Sequence, residues 1–291
     1  MMKWNKAAQT LCLAMAAILS VTLCAAAEET LRGPVGSPLR GAVGTPLSGI
    51  EQLKTAHLAA QRGTVGQFIA EDLLGDKKGE LLTTYEKYVD AIASLRQGKV
   101  RAVVMDELPA RRFLVEVEGL TIMNEALSEE SYAIGFKKGN TGLLGQVNKA
   151  LAELKTDGTL VAIFDKYLNG DVGAISPEDI DMNKGARGGR LVVGTEAGFA
   201  PYELKVGNGY IGIDVEMCAA IAKKLGRELV IENMNFDALP MAVSTGKVDM
   251  ICAGITVTEE RKENMDFSDE YVEGARQVAV VRVDDYQPPV K

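Results

Sequence analysis

The chain has 291 residues, of which 47% are hydrophobic and 25% charged, and its formal net charge is −8. This composition is typical of a globular protein, and the length is sufficient for two lobes with separate cores. Binding to nucleic acid depends on clustered lysine and arginine, so the acidic balance argues against a nucleic-acid partner.

The first residues resemble a secretory signal. Lys3 and Lys6 precede an apolar stretch over residues 11–23, and small alanines follow at residues 25–27. This order of charge, apolar core and small residues is the pattern of a signal peptide, and the apolar stretch is too short to span a bilayer comfortably. We therefore expect a signal peptide over residues 1–27 and export to the periplasm. Cleavage would remove two lysines and no acid and change the formal charge from −8 to −10.

The cysteines leave two alternatives open. Cys24 could carry a lipid, but Leu23 is bulky where the processing enzyme needs a small residue, so cleavage without lipidation is favoured. Cys218 and Cys252 remain after cleavage and could pair in an oxidising compartment. Sequence alone cannot bring their Cα atoms within bonding range, which favours two buried thiols.

A repeated octapeptide, LRGPVGSP then LRGAVGTP, follows the signal. It has few large apolar side chains to offset the entropy of ordering, so residues 28–49 are predicted to be a flexible tether.

Strands and helices alternate over residues 50–168, and the predicted elements end in a long helical region. Strands are predicted over 57–61, 79–86, 100–106 and 132–138, and helices over 65–74, 87–97, from about Pro109, and over 143–155 and 159–168. We assign 50–138 to one lobe, called lobe two, and 139–168 to helices that pack on the other lobe, called lobe one. The polar stretch 169–189 is predicted to be a linker between folded pieces.

The same alternation returns over residues 190–283, which we assign to lobe one and a crossing strand, with 284–291 as a tail. A strand LVVGT leads to a helix that Asp214 is predicted to cap and Gly226 to end. Val215, Cys218, Ala222 and Leu225 share one face of that helix. Strand 227–233, helix 238–245 and strand 248–254 follow. The pattern predicts an α/β protein with two parallel sheets and ligands at the carboxyl ends of the strands.

Several segments resemble one known family. The segments LVVGTEAGFAPYE, GYIGIDVEMCAAIAKKLG and AGITVTEERKENMDFSDEY lie late in the chain, while GKVRAVVMDELPA and NKALAELKTDGT lie early. Together they resemble the family 3 bacterial extracellular solute-binding proteins, the polar amino-acid receptors of ABC importers. The resemblance implies the two-lobed periplasmic-binding-protein (type II) fold, here in circularly permuted order. A monomer and a domain-swapped dimer both fit that order.

The resemblance also implies a set of ligand-binding residues. Arg261 and the helix start at Thr64 and Val65 would hold an α-carboxylate from opposite lobes. Asp106 would hold the α-ammonium, together with the 253–256 segment that contains Ala253, Gly254 and Thr256. Taken singly, a surface arginine, an aspartate after a strand and a Gly-Thr turn are more often structural than functional.

The ligand side chain is expected to meet Glu196, Phe199, Phe236 and also Tyr202. Two aromatic faces and a carboxylate suit a basic amino acid, with glutamine next. The alternative interpretation makes Phe236 part of the core and pairs Glu196 with a cation of the protein.

We therefore expect a non-enzymatic protein that captures a polar, basic L-amino acid for an ABC transporter permease by hinged closure, without cofactor or metal. The main alternative is a periplasmic dehydratase of the cyclohexadienyl type, with Glu196 as general acid. The resemblance also suggests looser closure, because the permuted order leaves the lobes joined through residues 132–139 alone unless 277–283 still pairs with lobe two.

Overall fold

A computed structural model describes residues 45–289. The expected signal peptide, Cys24 and all but the end of the expected tether lie outside the described residues. Within the described range, no helix has the length and apolar character needed to cross a membrane.

The helices are short and follow the strands closely in the chain. Their bounds are α1 Ile50–Leu53, α2 Val65–Leu74, α3 Lys78–Leu81, α4 Tyr88–Arg96, α5 Glu107–Glu116, α6 Thr141–Thr156, α7 Thr159–Leu168, α8 Ile213–Lys224, α9 Leu239–Thr245 and α10 Glu259–Asn264.

The strands run from residue 58 to residue 282. Their bounds are β1 Leu58–Gln61, β2 Leu82–Tyr85, β3 Ala102–Asp106, β4 Leu120–Ile122, β5 Ser128–Tyr132, β6 Gly135–Lys137, β7 Arg190–Thr195, β8 Gly198–Phe199, β9 Glu203–Val206, β10 Gly209–Ile211, β11 Glu228–Asn233, β12 Met250–Ile251, β13 Met265–Phe267 and β14 Val272–Arg282.

Lobe two is built on a sheet in the order β2-β1-β3-β14-β4, with β5 also paired to β14. Strands β1, β2 and β3 are parallel, and β14 runs antiparallel to β3. Every residue of β1 and β3 is buried, as expected for parallel strands covered on both faces by crossover helices. Helices α2, α4 and α5 provide this cover.

Lobe one is built on a sheet in the order β11-β7-β12-β6-β13. Strands β11, β7 and β12 are parallel, while β6 is antiparallel to both β12 and β13. Helix α8 packs against α6 and α7, so the helices that precede residue 169 cover a sheet formed mainly by residues that follow it. A small antiparallel sheet, β10-β9-β8, completes this lobe.

Two chain segments cross between the lobes. Residues 133–134 connect β5 of lobe two with β6 of lobe one, and residues 268–271 connect β13 with β14. Strand β14 pairs with β3 from Gln277 to Val281. Residues 277–281 therefore still pair with lobe two and provide a second connection between the lobes. The expectation of a single connection through residues 132–139 is wrong.

Several predicted boundaries are wrong for local reasons. Residues 132–138 form two strands, because the chain changes sheets at residues 133–134. The segment predicted as strand 79–86 begins with α3 and becomes a strand only at Leu82. Asp214 does not cap α8, which begins after Gly212; its side chain lies buried in the first turn. There it accepts a hydrogen bond from the backbone of Gly254.

The segments assigned as tether end, linker and tail also pack against the lobes. Leu47 is 1% exposed and pairs with Tyr286, so the chain joins lobe two before residue 49 and does not leave it at residue 284. Both ends of segment 169–189 belong to lobe one. Its Met182 carbonyl accepts from the backbone N–H of Leu229, so the segment lies along that lobe and does not bridge two pieces.

Candidate ligand-binding site

A cavity of about 300 Å³ lies between the two lobes. All ten predicted site residues line it, and they come from both lobes: Thr64, Val65, Asp106, Glu196, Phe199, Phe236, Ala253, Gly254, Thr256 and Arg261. Three lining residues were not predicted: Gln61, Tyr88 and Gln277.

Arg261 enters the cavity from lobe one, on the short helix α10. Thr258 caps that helix by accepting a hydrogen bond from the Arg261 backbone N–H, which orients the first turn. The guanidinium donates to the carbonyl of Thr256 at 2.8 Å and, across the cleft, to the carbonyl of Gly63 at 3.0 Å. It also lies 5.6 Å from the centre of the Phe236 ring, within cation–π range. Burial lowers its pKa, but a guanidinium remains charged in proteins.

Asp106 enters from lobe two at the end of β3. It precedes α5, yet its side chain makes no cap hydrogen bond. Its carboxylate instead accepts from the hydroxyl of Tyr132. Burial, followed by the nearby charge of Glu130, raises the pKa of Asp106 to about 7. A buried carboxylate with this pKa is a strong acceptor for a cation that enters the cavity.

Glu130 lies behind Asp106 and joins the lobes. Its carboxylate accepts from the hydroxyl of Thr256 at 2.7 Å and from the amide of Gln277 at 3.4 Å. Because Thr256 belongs to lobe one and Glu130 to lobe two, this contact crosses the hinge.

The amino end of α2 faces the cavity from lobe two. Thr64 is its N-cap and accepts from the Gln67 backbone N–H at 3.3 Å, while its own hydroxyl donates to the carbonyl of Gln61. The first N–H groups of a helix have no partner within it, and the helix dipole favours negative charge at this end. Arg261 and this helix start therefore present donors from opposite lobes, as a carboxylate requires.

Glu196 follows β7 and is 3% exposed. Its carboxylate accepts one hydrogen bond across the cleft from the amide of Gln61 at 3.3 Å. Burial raises the pKa of Glu196, while that hydrogen bond lowers it in part. No salt bridge links Glu196 to a cation among residues 45–289. The positive charge of Lys87 also lowers the pKa of Glu196 in part, although no salt bridge joins the two side chains.

Aromatic rings form one wall of the cavity. Phe199 stacks between Tyr88 of lobe two and Tyr202 of lobe one, with ring centres 5.9 and 5.7 Å apart. Tyr202 does not line the cavity; it supports Phe199 from behind. Gly254 permits this wall, because an added Cβ would lie 2.7 Å from the Phe199 ring.

The sequence contains a signal for one of the three unpredicted residues but not for the other two. Gln61 is the last residue of β1, so the rule that ligands bind at the carboxyl ends of parallel strands would have indicated it. Gln277 faces Asp106 only through the β14–β3 register. Tyr88 opens α4 far along the chain from its partner Phe199, and no local pattern marks it. In the part of the chain that is described, no group of histidine, cysteine or acidic residues could hold a metal ion.

The sequence profile of the bacterial extracellular solute-binding proteins, family 3, matches residues 25–170 and 191–288. The chain belongs to this family.

Individual family members resemble parts of the chain. The arginine-binding extracellular protein ArtP of Bacillus subtilis is 42% identical over 91 residues, which are 31% of this chain and 36% of ArtP. The L-cystine-binding protein TcyJ of Escherichia coli is 32% identical over 109 residues, 37% of this chain and 41% of TcyJ. The match therefore spans about two fifths or less of these curated relatives' length.

Solved structures match in the same partial way. The arginine-bound form of domain 1 from TmArgBP is 41% identical, with 33% of this chain and 82% of that chain covered and a TM-score of 0.29. An ancestral cyclohexadienyl dehydratase is 31% identical, with 30% of this chain and 39% of that chain covered and a TM-score of 0.28.

Proposed function

We propose that this family 3 protein captures a polar, basic L-amino acid in the periplasm and delivers it to the permease of an ABC importer. The cleft between the lobes is the binding site, and closure of the lobes holds the ligand. The protein does no chemistry on the ligand in this proposal.

The observation that carries the proposal is that Arg261 and Asp106 line one cavity from opposite lobes. An amino acid carries a carboxylate and an ammonium on the same carbon atom. A guanidinium can bind the carboxylate with two parallel hydrogen bonds, and a buried carboxylate can accept from the ammonium. One zwitterion therefore satisfies both groups and links the lobes.

Charge balance favours a basic side chain. The carboxyl and guanidinium groups that line the cavity are Asp106, Glu196 and Arg261. The α-carboxylate of the ligand compensates the charge of Arg261, and its α-ammonium compensates the charge of Asp106. The negative charge of Glu196 then remains without an opposite charge from the ligand backbone. Because an unpaired buried carboxylate is costly, a cationic side chain that reaches Glu196 should be preferred. Phe199 and Phe236 provide faces for a guanidinium or the stem of lysine. The name of ArtP agrees with this preference.

Hinged closure is supported by direct contacts across the cleft. Arg62 of lobe two lies 3.7 Å from Asp237 of lobe one, and the Asn235 amide donates to Glu86 at 3.2 Å. These exposed rim contacts contribute little free energy. The part-buried hydrogen bond from Arg261 to Gly63 and the buried one from Gln61 to Glu196 also cross the cleft, and a ligand that binds Arg261 and Glu196 would change the balance between open and closed states through them.

The circular permutation is also a proposal. It is supported by lobe one, in which helices α6 and α7 cover strands that come later in the chain. A swapped dimer would use the same contacts between two chains. Light scattering should give the mass of one chain for a permuted monomer and twice that mass for a swapped dimer.

A dehydratase is the second candidate. The observation in its favour is Glu196, because burial raises the pKa of its carboxyl group and would help it retain a proton to donate. Asp106 argues against it, since an ammonium-binding carboxylate suits a substrate that has an amine.

Isothermal titration calorimetry with arginine, lysine, ornithine, histidine, glutamine and glutamate tests the proposal, with prephenate as the dehydratase substrate. We expect a basic amino acid to bind most tightly and glutamate not to bind. Failure of all amino acids to bind, or turnover of prephenate, would overturn the proposal.

A further inference from the structure

Two carboxyl groups lie together inside lobe one, outside the cavity. Glu203 on β9 is 0% exposed and Asp214 in the first turn of α8 is 1% exposed. The Asp214 backbone N–H donates to the carbonyl of Tyr202 at 2.9 Å, which places Asp214 beside Glu203, and each carboxyl group shifts the pKa of the other. Burial of two adjacent negative charges is very unfavourable, so this pair needs a specific explanation.

Within residues 45–289, one of the four carboxyl oxygen atoms accepts hydrogen bonds. Asp214 Oδ2 accepts from the Gly254 backbone N–H at 2.9 Å and from the Tyr271 hydroxyl at 2.8 Å. Asp214 Oδ1 and both carboxyl oxygens of Glu203 have no hydrogen-bond partner among the described residues. A proton between the two groups would pair two of these three oxygens.

Among the described residues, no cation acts on the pKa of either carboxyl group. The titratable groups that face the pair are Tyr202 beside β9, Cys218 on α8, and Cys252 and Tyr271 on the segments packed against α8, with Glu196 farther away. None of these is a cation. A proton is therefore the simplest way to reduce the charge of the pair.

We propose that Glu203 and Asp214 share one proton, with the Glu203 O–H donating to Asp214 Oδ1, and that this proton keeps Asp214 in place as the acceptor for Gly254. Burial raises the pKa of Glu203 above its usual range and the pKa of Asp214 to about 6, which agrees with retention of a proton near neutral pH.

The pair would act on the binding site through Gly254. That glycine has φ +55° and lies against Phe199, and its neighbours Ala253 and Thr256 line the cavity. Asp214 and Glu203 are therefore positioning residues in this account. This second half of the inference rests on the proposed amino-acid site, whereas the shared proton does not.

The direction of the pH effect follows from linkage. A carboxyl group with a raised pKa in the folded state binds more protons there than in the unfolded chain. Its folded state is therefore favoured at low pH, and stability declines as pH rises from the unfolded pKa to the folded one. A glutamine at position 203 keeps a donor for Asp214 but cannot titrate.

The first experiment compares thermal unfolding of the full chain with that of Glu203→Gln between pH 5 and 8. The difference between the variant's Tm and the wild-type Tm should increase by about 3–5 °C for each unit of increasing pH. This increase should stop once the pH reaches the folded-state pKa of Glu203. Glu232→Gln, on β11 of the same lobe, is the control and should show no such trend. A constant difference from pH 5 to 8, or the same trend in the control, would overturn the shared proton.

Infrared spectroscopy provides a direct readout. Because Asp106 has a pKa of about 7 and is itself partly protonated at pH 7, the readout is the difference between two spectra recorded at that pH. The wild-type spectrum minus that of Glu203→Gln should show the carbonyl stretch of a protonated carboxylic acid, and a difference spectrum without this band would overturn the shared proton.

Arginine titrations test the positioning role. Asp214→Asn keeps an acceptor for Gly254 and should bind arginine within about threefold of wild type, whereas Asp214→Ala should bind at least about tenfold more weakly. Equal affinities of both variants would overturn the positioning role, and so would an equal loss in both. If wild type binds none of the amino acids, the proposed function fails, while the infrared and thermal tests still decide the shared proton.

Discussion

The guanidinium of Arg261 donates a 3.0 Å hydrogen bond to the carbonyl oxygen of Gly63 in the opposite lobe. The same side chain donates to the carbonyl of Thr256 at 2.8 Å in its own lobe. Arg261 is therefore held in position from both sides of the cleft. A carboxylate that enters meets a guanidinium that is already oriented, which reduces the entropy lost on binding.

Replacing Arg261 should affect ligand binding more than folding. Arg261→Ala should weaken arginine binding by about 100-fold, because a charge-assisted, two-pronged contact is lost. Arg261→Lys should restore only part of that loss, since an ammonium cannot form the paired geometry. Calorimetry measures both. Arg111→Ala is the control, because Arg111 is exposed and lies outside the cavity, where it pairs with Glu107. An Arg261→Ala protein with wild-type affinity would exclude this residue from the site.

Arginine affinity should depend on the protonation state of Asp106. Its pKa is about 7 without ligand, and an ammonium beside it should lower that value. Arginine affinity should therefore be highest above pH 7 and should fall as the pH decreases below 7. At low pH, binding must first remove a proton from Asp106. Asp106→Asn should bind weakly at every pH and lose this dependence. Affinities measured from pH 5 to 8.5 test this, and a wild-type profile flat down to pH 5 would contradict it.

A methyl group at Gly63 should hinder closure. An added Cβ would lie 3.1 Å from the Cα and Cβ atoms of Asp237 in the opposite lobe, and the residue has φ +77°. Gly63→Ala should lower arginine affinity about tenfold, through backbone strain and the contact between lobes. Gly75→Ala is a matched control, because Gly75 also has a positive φ of 54° but has open space around it. If both variants lose affinity equally, the contact with Asp237 plays no part.

Glu196 should set the preference for a cation. Glu196→Gln keeps the size of the side chain and removes its charge, so arginine affinity should fall by about 30-fold while glutamine affinity changes little. The ratio of the two affinities, measured by calorimetry, is the readout. Glu232→Gln in the same lobe is the control. An unchanged ratio would show that Glu196 does not meet the ligand side chain.

The lobes should still move about a hinge, although two segments connect them. Residues 133–134 and 268–271 cross between the lobes, and the direct contacts at the cleft rim are few and exposed. Small-angle scattering should therefore show a smaller radius of gyration with arginine than without it. A compact radius in both states would contradict hinged closure.

Much of the site was predictable because parallel strands collect their carboxyl ends at one edge of a sheet. Asp106 ends β3, and Glu196 directly follows β7, so a rule about strand ends places both near a ligand. Arg261 came from the resemblance of AGITVTEER to family 3, and its place at the cavity agrees with that assignment. Gln277 was missed because it depends on the register of β14 against β3, which no local pattern reveals.

The sequence by itself determined the alternation of strands and helices, because apolar periodicity and turn residues act over a few neighbours. It also determined the types of side chain available at the strand ends. Only the tertiary structure decided that residues 133–134 change sheets, that β14 pairs with lobe two, and that Asp214 meets Glu203 instead of capping a helix. These features depend on contacts between residues far apart in the chain, and such contacts form only when whole elements pack.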